Sequence, residues 1–185
     1  MSATVRTTYD EFDAMIRRGD FADTEDRFEL LFGEIVVLPL PDPPHESVVD
    51  ELNEWSFLSL PVGAARVRVQ STLGLPALDS VTLPDIAWMR RRDYSQQRPL
   101  GEDVLLVIEV ADTTLYKDRG TKAKLYAQAR IADYWIVNIP KRCLEIRRDL
   151  EGDVYQAVMV LQPGEEARPL AFPEIALPVS RLFPA

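Results

Sequence analysis

Two carboxylates and a lysine stand out in this 185-residue chain because of their neighbours. Glu109 follows the run Val104-Leu105-Leu106-Val107-Ile108, which has the unbroken apolar character of a strand buried on both faces. Asp85 holds a comparable place in Leu83-Pro84-Asp85-Ile86-Ala87-Trp88. A carboxylate among such neighbours is costly to desolvate unless it meets a cation or stands at an open strand end. Acids at the ends of two apolar strands also suit a magnesium ion, which needs a few hard oxygen ligands on a rigid support and keeps water elsewhere. Lys122 lies thirteen residues beyond Glu109, at the opening of the next helix. A lysine beside such an ion could orient an attacking water and stabilise charge on a phosphate in flight.

Each of these residues also fits a plainer role. Strand-end acids commonly mark a solvated edge or pair with an arginine, and Lys122 could be an ordinary helix lysine like Lys124. Only the constellation favours chemistry. Tyr126, one turn after Lys122, shares its face and is placed to pack beneath it. His45, the only histidine, follows a proline-rich loop and either caps a helix or lines the site.

Other chemistries find little support. The Cys and His set of a zinc site is missing, and no G-x-S-x-G elbow accompanies the histidine. Walker A and Rossmann glycine patterns are absent as well. Cys143, the single cysteine, lies in a mixed strand-like stretch and reads as structural; its isolation suits a reducing compartment. No apolar run approaches the roughly 20 residues of a membrane helix, and the N-terminus lacks the apolar core of a signal peptide. A cytoplasmic, soluble protein without membrane contact is expected. The net charge of -9 is unusual for a nucleic-acid binder. Basic residues are clustered instead, at Arg90-Arg91-Arg92, Lys141-Arg142 and Arg147-Arg148.

The elements that must position these groups follow from periodicity. Thr8-Tyr9-Asp10-Glu11 has capping-box spacing, with Phe12, Met15 and Ile16 at helical intervals and Gly19 as a stop. Arg27 to Phe32 and Glu34 to Leu38 flank Gly33 as a hairpin, with Phe28, Leu30 and Phe32 on one side. The prolines between Pro39 and Pro44 demand an irregular connection, and a second helix is expected from His45. Strands are expected at about 65–70, 72–75, 83–89 and 103–110, a helix at 119–130, and further strands at 134–138, 144–148 and 154–161. Prolines cut the tail into short pieces. No repeat or linker divides the chain, so residues 1–185 are expected to form one domain of mixed α/β class, a sheet with helices on its faces.

Taken together, these segments resemble the Uma-two family of endonucleases. The similarity is carried by Arg27-Phe28-Glu29-Leu30-Leu31-Phe32-Gly33-Glu34-Ile35, Pro43-Pro44-His45, Pro84-Asp85 and Ile108-Glu109-Val110-Ala111-Asp112-Thr113-Thr114. It continues through Asp118-Arg119-Gly120-Thr121-Lys122, Leu125-Tyr126-Ala127 and Ala132-Asp133-Tyr134-Trp135-Ile136-Val137. The resemblance implies a restriction-endonuclease-like fold of the PD-(D/E)XK superfamily: a central mixed β-sheet flanked by helices, an N-terminal β-hairpin and extra C-terminal strands. It also implies a Mg²⁺-dependent phosphodiesterase site, with Mn²⁺ as a substitute, acting on nucleic acid, DNA ahead of RNA. Asp85 and Glu109 would be metal ligands, Lys122 the catalytic lysine and Glu29 an accessory acid. Glu34 and His45 match further recurrent positions. A homodimer is a common form of this fold.

The superfamily's usual lysine position, two residues after the second acid, is Ala111 here; the family supplies the lysine from the next helix. Lys117 stands where an uncharged residue is common, and Arg130 where a glycine is expected. The alternative to an enzyme is an inactive module on a nuclease fold that binds nucleic acid or a partner protein, which the acidic charge suits.

Overall fold

The computed structural model describes residues 6–183. Helix α1 (Tyr9–Arg18) starts as its capping box dictates. The Thr8 hydroxyl accepts from the Glu11 amide, and the Glu11 carboxylate accepts from the Thr8 amide. It stops at Gly19, whose φ of 80° admits the left-handed C-cap.

Strands β1 (Arg27–Leu31) and β2 (Glu34–Leu38) form the expected hairpin. Phe32, however, belongs to the turn rather than the strand: its φ is 51° and that of Gly33 is 82°, the left-handed pair that a two-residue hairpin turn requires. Near the turn β1 is also buried on both faces. Leu30 packs with Phe12 and Val81, while Leu31 joins the cluster around Leu73 and Tyr126.

Two further strands, β4 (Leu73–Leu75) and β5 (Ser80–Thr82), complete a four-stranded sheet in the order β2-β1-β5-β4. The segment expected as one strand at 83–89 begins only at β6 (Ile86–Met89). Leu83-Pro84-Asp85 bridges the two sheets instead, because proline has no amide to donate to a ladder.

The larger sheet has six strands: β3 (Arg66–Val69), β6, β7 (Val104–Ala111), β8 (Tyr134–Asn138), β9 (Cys143–Glu151) and β10 (Val154–Leu161). Their order is β10-β9-β8-β7-β6-β3, with β7 and β8 parallel and every other neighbour antiparallel. The sheet is mixed, as the sequence implied. The tail adds the short pair β11 (Glu166–Ala167) and β12 (Leu177–Pro178).

Helix α2 (Pro43–Ser59) covers one face. It starts two residues earlier than His45, because Pro43 and Pro44 occupy its first turn, where no amide is needed, and Asp42 caps it. Trp55 of α2 stacks on Trp88 and Trp135 of the sheet at ring separations of 5.0 and 6.1 Å. The opposite face packs against Leu125 and Tyr126 of α4 (Ala123–Gln128). The helix expected at 119–130 is in fact composite. It opens as α3 (Leu115–Lys117), widens into a π-helical turn at Asp118–Lys122 and continues as α4. Such wide turns have no simple periodicity and concentrate at functional sites. Just past α4, Arg130 has a φ of 60°, a backbone conformation that favours glycine, and its guanidinium donates to the Gly152 carbonyl at 2.8 Å.

Candidate active site

Strand register brings the two acids together. β6 and β7 pair Ile86 with Ile108 and Ala87 with Val107, so the same register carried one step further sets Asp85 opposite Glu109. Alternation along β7 sends Leu106, Ile108 and Val110 toward α2, and Val107, Glu109 and Ala111 toward α4. Lys122, at the end of the π turn, reaches Glu109 from that side: its Nζ lies 3.0 Å from Glu109 Oε1 and 3.1 Å from Glu29 Oε1. The Tyr126 hydroxyl donates to the same Glu109 oxygen at 2.6 Å. Glu29 is fixed in turn by the Leu83 amide, which donates to its Oε1 at 2.9 Å.

Asp85 is held by three donors. The Val110 amide (2.9 Å) and His45 Nε2 (3.2 Å) meet its Oδ2, and Gln70 Nε2 (3.1 Å) meets its Oδ1. Gln70 has a φ of 44°, a strained conformation for a non-glycine residue; its amide donates to the Asp85 carbonyl and its side-chain oxygen accepts from Arg27. Asp118, the first residue of the π turn, is buried and accepts from the Thr114 hydroxyl at 2.7 Å.

The electrostatics are those of crowded anions around one ammonium. Burial pushes the Glu109 carboxyl well up; Lys122 opposes this, and Asp85, Asp118 and Glu29 reinforce it. Burial also raises Asp118, against the pull of Lys122 and its bond from Thr114. Burial would depress the Lys122 ammonium, but Glu109, Glu29, Asp118 and Asp85 outweigh it and hold its pKa well above the usual lysine value. Asp85 behaves oppositely to Glu109: burial raises it, yet the His45 bond and the Val110 amide bring it below the ordinary range. His45 is raised, because Asp85 overcomes the effect of burial.

These groups open onto a cleft of about 180 Å³. It is lined by the chain from Leu38 to Asp42 and by Asp112 to Thr114 with Lys117 and Asp118. Of the residues singled out in the sequence, Asp85, Glu109, Lys122 and His45 line this cleft. Glu29 stands behind Lys122, fully buried. Glu34 is not brought to the site: it is exposed at the hairpin turn, opposite Leu31, while the Arg27–Leu38 end of the hairpin reaches the cleft. Sequence patterns do not single out Gln70, and they hold Asp118 and Arg27 only within longer segments, with no site role. Asp118 was visible as an acid four residues before Lys122, but Gln70 carries no local signal at all.

The donor set fits a hard divalent ion. Glu29, Asp85, Glu109 and Asp118 are all buried and share Lys122 as the central cation, an excess of negative charge that a divalent ion would relieve. Among the described residues no three His, Cys, Asp or Glu side chains are grouped to hold an ion unaided. An ion on Asp85 and Glu109 would therefore draw its remaining ligands from backbone carbonyls, water or substrate, as magnesium commonly does.

Comparison with known proteins places this geometry in context. The chain matches the family model Uma2, described as "Putative restriction endonuclease", over residues 9–180. Its fold is similar to that of a crystal structure described as a putative nuclease belonging to DUF820 from Anabaena variabilis ATCC 29413, with a TM-score of 0.76 and 20% identity, covering 95% of this chain and 97% of that one. No curated protein matches. A family match spanning nearly all of the described residues shows that the chain belongs to the Uma2 family, and the similar structure shares its fold.

Proposed function

We propose that the chain is an endonuclease that hydrolyses nucleic-acid phosphodiester bonds, DNA ahead of RNA, with a divalent ion held by Asp85 and Glu109. Mg²⁺ is the natural candidate and Mn²⁺ a substitute. The observation that carries this is the facing pair Asp85 and Glu109 with Lys122 Nζ 3.0 Å from Glu109. When bound, the ion supplies Lewis acidity toward the phosphate and makes water a better nucleophile at neutral pH.

The protein's own residues do the rest. Glu29 and Glu109 keep Lys122 charged, so its ammonium can donate to a non-bridging phosphate oxygen as charge builds there. The Val110 amide, His45 and Gln70 fix the Asp85 carboxylate as an acceptor facing the cleft. Preset donors and acceptors of this kind need no rearrangement during reaction.

The test is cleavage of labelled oligonucleotides in Mg²⁺, comparing the parent with Glu109→Gln. Lys122 still keeps Glu29 as partner in that variant, so the fold survives. A loss of about 100-fold or more is expected; cleavage by the variant at the parent rate would overturn the assignment. A non-catalytic binding module is the second reading, favoured by the net charge of -9. It would show as nucleic-acid binding by the parent with no cleavage in any divalent ion.

A further inference from the structure

Among the described residues, two cations in the cleft have no counter-ion. Arg27 and Lys117 both line it, half-buried, the first from β1 and the second from α3. Among the described residues neither forms an ion pair. Most other cations near the site are committed: Lys122 to Glu29 and Glu109, Arg119 to Glu145. Arg27 is instead tethered by a neutral group, its Nη1 donating to Gln70 Oε1 at 2.8 Å, which fixes the guanidinium without neutralising it. Charge that is held in place and left unpaired in a cleft is prepared for an anion.

The surroundings narrow the kind of anion. The cleft is lined by five carboxylates, Asp42, Asp85, Glu109, Asp112 and Asp118, in a chain of net charge -9. A polyanion therefore meets little general attraction and depends on the few unpaired cations. Leu40 lines the cleft and is 85% exposed, and Tyr116, the chain neighbour of the cleft residue Lys117, is 93% exposed. An unpaired base offers a flat face to such exposed side chains, and stacking of this sort is indifferent to sequence. In a duplex those faces are already stacked inside the helix, and a net charge of -9 gives little of the general attraction that a duplex's denser charge calls for.

We propose that Arg27 and Lys117 form a phosphate-binding subsite for an unpaired nucleic-acid strand, which crosses the cleft with a base against Tyr116 and Leu40. This rests on the nuclease reading of the same cleft and adds the form of its substrate. Arg27 takes a phosphate on the hairpin side of the scissile bond and Lys117 one on the helix side. Gln70, bonded to both Arg27 and Asp85, keeps the bound phosphate in register with the reacting one.

Binding, rather than cleavage, is the test. A fluorescein-labelled single-stranded oligonucleotide of roughly 12 nucleotides is titrated by anisotropy in Ca²⁺ at several salt concentrations, using the parent, Arg27→Ala, Lys117→Ala and the double variant. Each single variant is expected to weaken binding by about 5- to 10-fold, and the double variant should flatten the dependence of log affinity on log salt by about 1.4. Arg27→Lys should recover most of the loss from Arg27→Ala. The same sequence as a duplex is expected to bind more weakly, and Tyr116→Ala to weaken the single strand with no change in salt slope. Tight strand binding that the double variant retains with the parent salt slope would overturn the subsite. Duplex binding as tight as the single strand, or no strand binding by the parent, would overturn the substrate form. Repeating the titration in EDTA separates this from the catalytic reading. With no ion on Asp85 and Glu109, the losses in Arg27→Ala and Lys117→Ala should persist, and losses that vanish there would overturn the subsite, while cleavage in Mg²⁺ reports the catalytic reading alone.

Discussion

Replacing Lys122 by methionine exposes how the site is balanced. Lys122 is 5% exposed and its ammonium lies within 3.1 Å of both Glu29 and Glu109, themselves 0% and 3% exposed. Methionine fills a similar volume, so packing changes little, but two buried carboxylates lose their cation. Breaking such a pair from one side typically costs about 3–5 kcal/mol. The pH dependence gives an independent figure. Without Lys122 the buried acids escape the cost of ionisation by binding one more proton than they do in the parent. Holding a glutamate neutral costs about 1.4 kcal/mol for each pH unit above its ordinary value near 4.3, hence about 5 kcal/mol at pH 8 and about 1.6 kcal/mol at pH 5.5. The sign follows from a folded-state pKa raised above the unfolded one: stability is greatest below the unfolded value and falls as pH rises toward the folded value. Urea unfolding in EDTA at both pH values would measure this. The variant should lose about 3–5 kcal/mol at pH 8 and at most about 2 kcal/mol at pH 5.5. A loss that is equal at the two pH values, or under about 1 kcal/mol at pH 8, would refute the idea that Lys122 neutralises buried carboxylates.

Two further outcomes are expected. Gln70→Gly relieves a strained φ of 44° but removes the donor to Asp85 Oδ1 and the tether on Arg27; stability should change by less than about 1 kcal/mol while Mn²⁺ affinity falls by about 10- to 100-fold, both read by calorimetry. Trp88→Ala should cost about 3–5 kcal/mol in chemical unfolding, because Trp88 is fully buried against Trp55 and its indole N–H donates to Ser56.

Much of the scaffold was legible in the sequence because it is written locally. The Thr8–Glu11 cap, the turn at Gly33 and the apolar run ending at Glu109 each depend on neighbours a few residues away. The facing of Asp85 and Glu109 was partly legible: both acids adjoin apolar strands, but their register comes from the β6–β7 ladder. What stayed hidden was long-range. Glu29 meets Lys122 only because the hairpin packs under α4, and Gln70 joins Arg27 to Asp85 across two sheets. Local pattern placed a single helix at 119–130; the wide turn that buries both Asp118 and Lys122 answers to charge and packing in the cleft, which no periodicity encodes. The prolines before His45 read as loop because proline breaks helix interiors, yet the first helical turn accepts them.

The most direct measurement is Mn²⁺ binding by titration calorimetry, comparing the parent with Asp85→Asn and Glu109→Gln, since it requires no knowledge of the substrate. If these two acids form the metal site, the parent binds the ion and each variant loses at least about 10-fold in affinity. Binding by either variant as tight as by the parent would contradict the central claim that Asp85 and Glu109 hold the ion.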